Sequence, residues 1–118
     1  MTTKEVAARF MELATQGKFD AVQDELYSND CVSIEPTHAQ DMQSVEGLAA
    51  IKEKGKKFNE SVGEVHGGYT NDPIISDNHF AVTMGMDITM KGMSRMKMDE
   101  VAVYEVKDGK ITKEQFFY

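Results

Sequence analysis

The order of hydrophobic periodicities predicts an α+β fold, with helices packed on one face of a curved antiparallel sheet. Apolar residues recur at helical spacing up to about residue 61. From residue 64 onward they alternate at period two, most cleanly over 79–90. Asp108-Gly109 then marks a tight hairpin between two late strands.

The first helix is expected over 2–16. Thr2 and Glu5 form a Thr-x-x-Glu capping pattern. Val6, Phe10 and Leu13 follow as one apolar stripe, and Gly17 is placed to end the helix. A second helix over 19–27 carries Phe19, Val22 and Leu26 on one face. Ser28-Asn29-Asp30 reads as a turn. A short strand over 31–35 stops at Pro36, and a polar loop over 37–45 follows. A third helix over 47–61 presents Leu48, Ile51, Phe58 and Val62, with Gly55 on the same face. Glycine there costs about 1 kcal/mol against alanine, which implies a closely packed neighbour.

Strands follow over 64–70 and 74–76, flanking Asn71-Asp72-Pro73. Over 79–90, Phe80, Val82, Met84, Met86, Ile88 and Met90 share one face. Lys91-Gly92 turns the chain into a strand over 94–107, and the last strand covers 110–118. No linker or repeat interrupts the pattern, so 1–118 reads as one domain.

Composition narrows the function classes. A net charge of −7 disfavours nucleic acid and anionic membrane as partners. Lys52, Lys54, Lys56 and Lys57 cluster, but with Glu53 they read as a solvated helix face. No segment is apolar and long enough to span a bilayer or act as a leader, so a cytoplasmic protein is expected. One cysteine, Cys31, forbids an internal disulfide. As a strand residue it reads as small and buried rather than as a nucleophile.

Several short motifs fall in a familiar order: Gly17-Lys18-Phe19-Asp20, Leu26-Tyr27-Ser28-Asn29-Asp30, Glu35-Pro36, Gly47 through Ile51, Asp108 through Ile111, and Gln115-Phe116-Phe117-Tyr118. Together they resemble the nuclear transport factor 2-like superfamily, in its SnoaL-like branch. The resemblance implies a cone, also called cystatin-like, in which three N-terminal helices pack on the concave face of the sheet. It also implies a pocket between helices and sheet, and a homodimer through the sheet. In the similar ketosteroid isomerases and SnoaL-like cyclases, an aspartate at the acid-proline position is the general base. Here that position is Glu35. The isomerases' oxyanion tyrosine is matched by Phe10, which cannot donate, so steroid isomerisation is not carried over.

Strand parity supplies further candidates. If Met96, Met98, Ala102, Tyr104 and Val106 point inward, so does Glu100. Glu114, Phe116 and Tyr118 share a face of the last strand. Glu35, Glu100 and Glu114 are therefore expected to converge, and two carboxyls with separated pKa values can serve as acid and base. Phe10, His38, Phe58, Met84, Met86, Met98, Tyr104, Phe116 and Tyr118 are the expected ligand-binding residues. Six of nine methionines lie between Met84 and Met98, and methionine moulds to irregular apolar ligands. The histidines His38, His66 and His79 lack ligand spacing, so no metal is expected, and no phosphate loop or other cofactor motif is present.

Three readings follow. The chain is a small-molecule enzyme moving a proton on an apolar carbonyl compound, a non-catalytic binder of an apolar molecule, or a dimeric assembly module whose outer face includes Val101 and Val103.

Overall fold

The computed structural model describes residues 1–39 and 42–118. Its elements, in chain order, are α1 (Thr3–Ala14), α2 (Phe19–Leu26), β1 (Tyr27–Ile34), β2 (Val45–Glu46), α3 (Leu48–Ser61), β3 (Val62–Thr70), β4 (Ile74–Ile75), β5 (His79–Met90), β6 (Arg95–Lys107) and β7 (Lys110–Phe117). The α+β expectation holds, with three helices against a mixed, curved sheet of seven strands.

Local chemistry sets the helix starts. Thr2 accepts from the Glu5 amide while the Glu5 carboxylate accepts from the Thr2 amide, so the capping box forms. Gly17 takes a left-handed φ of 72° just after α1. Gly47 precedes α3 with φ 92°.

The strands run in the order β2-β1-β7-β6-β5-β3, with β4 on the edge of β5. β3, β5, β6 and β7 form the expected antiparallel meander. β1 differs by pairing parallel to β7. No hairpin joins those two strands, so no turn dictates their relative direction. Register shifts in the β3–β5, β6–β7 and β1–β7 pairs mark bulges, which bend strands and help the sheet curl.

The Ser28-Asn29-Asp30 turn is a correction. These residues lie inside β1, and the turn signal surfaces as a register break between Tyr27 and Val32. The loop over 37–45 is also corrected, because β2 occupies its end against β1. Its residues 40 and 41 lie outside the described residues.

The core sits between α1, α2 and the sheet's inner face. Phe10, Phe80 and Tyr104 form its centre, with ring centroids 4.8–5.3 Å apart. Burial alternates strictly along β6: Glu100, Ala102, Tyr104 and Val106 face inward, while Asp99, Val101 and Lys107 face out. No helix among the described residues is long and apolar enough to cross a membrane.

Candidate functional site

Below the aromatic core, the inner face of the sheet stops being filled. A cavity of about 250 Å3 opens between α2, α3 and strands β5, β6 and β7. Its lining is mostly apolar: Ile51 and Phe58 from α3, Met84 and Met86 from β5, Met98 from β6, Phe116 from β7. Into it project Glu35, Glu100, Glu114, Lys54 and Tyr118.

Each polar group is placed by strand or helix period. On β1 the inward positions Cys31 and Ser33 are fully buried, and Glu35 follows them at the strand's exit. On β6, Glu100 stands opposite Met84 of β5. On β7, Glu114 stands opposite Tyr104 and is buried. From α3, Lys54 lies one turn beyond Ile51 on the helix's inner stripe.

These groups form a network. Lys54 Nζ donates to Glu35 Oε2 at 2.9 Å and to Ser33 Oγ at 2.7 Å. The ion pair is buried, its side chains only 12% and 5% exposed. The Tyr118 hydroxyl donates to the other Glu35 oxygen at 2.8 Å. The Tyr27 hydroxyl donates to Glu114. Glu100 has no hydrogen-bond or ion-pair partner among the described residues.

Burial dominates the electrostatics. It pushes Glu100 up to about 7, and the charges of Glu35 and Glu114 push the same way against the pull of Lys54. Burial also raises Glu114, opposed by the Tyr27 and Ser33 hydroxyls and by Lys54. Burial and then the hydrogen bond to Glu35 raise Tyr118. Cys31 is pushed up to about 12, chiefly by burial, so its thiol stays protonated and unreactive near neutrality.

The three predicted carboxyls thus line one cavity, together with Phe58, Met84, Met86, Met98, Phe116 and Tyr118. Phe10 and Tyr104 do not reach it. They are closed into the core, where Tyr104 stacks on Phe80 and Phe10 packs edge-on against Phe80. His38 does not border the cavity either; its ring meets the edge of Tyr118 at 6.0 Å. His66 contacts Thr89 and His79 approaches Glu105, both away from the site. Among the described residues no group of three His, Cys, Asp or Glu side chains is arranged to hold a metal.

Two expectations need correction. Lys54 is not part of a solvated lysine face but the cavity's one buried cation among the described residues. Its spacing from Ile51 and Phe58 carries the signal. Gly55 does not meet a close neighbour: an added Cβ would touch nothing within 4 Å, and the position borders the cavity. Tyr27 and Ser33 join the site without having been singled out by sequence. Ser33 is legible as the inward residue between Cys31 and Glu35; Tyr27 carries no comparable signal.

Comparison with known proteins places this geometry in a family. The chain matches the SnoaL-like domain family over residues 1–118. The chain belongs to the SnoaL-like family. It is 36% identical to a candidate SnoaL-like polyketide cyclase from Mesorhizobium loti, which is also described with the words carbohydrate phosphatase. That match covers 100% of both chains with a TM-score of 0.93. A Xanthomonas campestris protein of unknown function with a cystatin-like fold is 22% identical, at a TM-score of 0.80 over 99% of this chain and 90% of that one. A nuclear transport factor 2-like protein from Burkholderia thailandensis is 11% identical, at 0.83 over 99% and 90%. The latter two establish the fold alone. No protein with a curated description matches.

Two outcomes follow from the site's physics. Gly55→Ala should raise stability by about 1 kcal/mol, since it gains helix propensity and meets no clash; urea denaturation checks this, and a loss of stability would show that the position is tightly packed. Glu100 gives the second. The folded chain holds its proton more tightly than the unfolded chain does. Stability therefore falls as pH rises from 4.5 to about 7, and the full cost is present above 7. After allowance for partial exposure that cost is about 2–3 kcal/mol. Glu100→Gln should be more stable than the parent by roughly this amount at pH 8 and equal to it near pH 4.5, as read from chemical denaturation at the two pH values.

Proposed function

We propose that this SnoaL-like chain is a small-molecule enzyme that moves a proton on an apolar carbonyl compound, in isomerase- or cyclase-like chemistry, with Glu100 as the proton-transferring carboxyl. One observation carries the reading. Glu35 and Glu114 are both tied by hydrogen bonds, whereas Glu100 faces the cavity with no partner among the described residues. A group meant to exchange a proton with a ligand has to leave its oxygens free for it.

The rest of the site fits that role. Near neutrality Glu100 populates both protonation states, which suits taking a proton from one carbon and returning it to another. In such a step the Glu100 carboxylate takes the proton α to the carbonyl. The C–H electron pair moves into the C–C bond, and the carbonyl π pair moves to oxygen. Lys54 has three N–H donors and uses two on Ser33 and Glu35. The third is available to the charge that develops on the ligand oxygen. Glu35, expected from sequence to be the base, becomes the group that positions Lys54 and Tyr118.

The apolar lining favours an uncharged substrate. A phosphate ester fits poorly, because Asp20, Glu35, Glu100 and Glu114 border the cavity against the single lysine Lys54.

The test is deuterium exchange. In D2O the protein should wash out α-protons from a 1,3-diketone, followed by proton NMR, with an apparent pKa near 7 on the rising limb. Glu100→Gln should lower that rate by about 10²-fold or more. A rate unchanged by Glu100→Gln, and lost instead in Glu35→Gln, would return the base to Glu35. Binding without exchange would favour the non-catalytic binder.

We infer a homodimer as well, compatible with either reading. Ile74, Val101 and Phe117 are exposed on the outer face of the sheet, at 80%, 39% and 49%. Val101 and Phe117 are cross-strand neighbours, so their apolar surface is continuous. Val101→Glu should convert a dimer to a monomer in light scattering; a monomeric parent protein would refute the inference.

A further inference from the structure

The inner cavity is small for a substrate site. About 250 Å3 lies below the roughly 300 Å3 at which typical small-molecule sites begin. It does not end at its lip, however. A second, larger groove of about 560 Å3 runs on from it, and the two share Met42, Lys54, Phe58, Met98 and Tyr118. Together they fall well inside the usual range.

The groove's floor is built by the same alternation that places Glu100. Along β6, Met98 and Met96 follow Glu100 inward toward the strand's start, and Met90 lies beyond Ile88 on β5. Met93, in the intervening turn, and Lys57 of α3 form its outer edge. At about 3.4 Å per residue, the floor from Glu100 to Met96 extends some 14 Å. It is almost wholly thioether and hydrocarbon, flexible and polarizable rather than rigid. Glu35, Glu100 and Glu114 stay at the inner end, while Glu53 and Lys57 of α3 border the groove opposite the methionine floor.

We propose that the methionine groove is a subsite for the tail of an elongate, largely apolar carbonyl compound whose carbonyl end enters the inner cavity. This rests on reading the inner cavity as a ligand site. It adds a substrate class: molecules too long for the inner chamber, with polarity concentrated at one end. The shared walls set the order, because a tail in the groove directs the head past Lys54 toward Glu100.

A chain-length series tests it, using 2-pentanone, 2-octanone and 2-undecanone with the protein labelled at its methionine methyl carbons. Each methylene that enters the groove should tighten binding about two- to fourfold. All three ketones should shift the Met84 and Met86 methyl signals. Only the longer two should shift Met90, Met93 and Met96. Met96→Lys, which places a charge on the floor, should abolish the dependence on length. Affinity that stops rising after 2-pentanone, with Met90 and Met96 unmoved, would overturn the groove while leaving the inner site standing. If no ketone shifts Met84 or Met86, both readings fall together.

Discussion

The buried contact between Lys54 and Glu35 is the constraint around which the pocket is organised. Three carboxyls in one apolar chamber would repel one another and lose their hydration, and such a chamber would ordinarily stay neutral or collapse. One ammonium changes the balance. Lys54 offsets part of the negative field felt by Glu100 and Glu114, and it joins α3 to β1 through Ser33 and Glu35. A buried pair of this kind contributes little net stability against an apolar substitute, yet breaking it by removing one partner costs several kcal/mol. Its value here is positional. It fixes where α3 meets the sheet, and so how wide the chamber is.

The same network gives the carboxyls different partners. Glu35 is held by a cation and a phenol, Glu114 by the Tyr27 hydroxyl, and Glu100 by nothing among the described residues. Similar side chains in one cavity thereby differ in their surroundings, and Glu100 alone of the three has oxygens without a partner among the described residues. The surrounding methionines and phenylalanines keep the chamber poorly hydrated, which strengthens each of these interactions.

Much of this is legible in the sequence because it depends on period. The alternation of β6 places Glu100 inward on parity alone, and the alternation of β7 does the same for Glu114 and Phe116. The capping box and the late hairpin are equally local. Other distinctions are not encoded by period. Tyr104 lies on the same face of β6 as Met98 and Glu100, and Phe10 belongs to the apolar stripe of α1, but only packing decides which aromatic rings close on one another and which leave space. Lys54 sits among lysines that suggest a solvated face, although its helical position is that of a core residue. Gly55 suggests close contact yet borders open space. The parallel pairing of β1 with β7 joins strands far apart in sequence, where no turn chemistry announces direction.

The central claim is that Glu100 is a desolvated, unpartnered carboxyl inside an apolar pocket. A carbon NMR titration of the side-chain carboxyls, with the Glu100 signal assigned by its absence in Glu100→Gln, measures this without any knowledge of the substrate. A Glu100 midpoint near 7 is the predicted result. A midpoint near the ordinary ~4.3 would place that carboxyl in water and contradict the account.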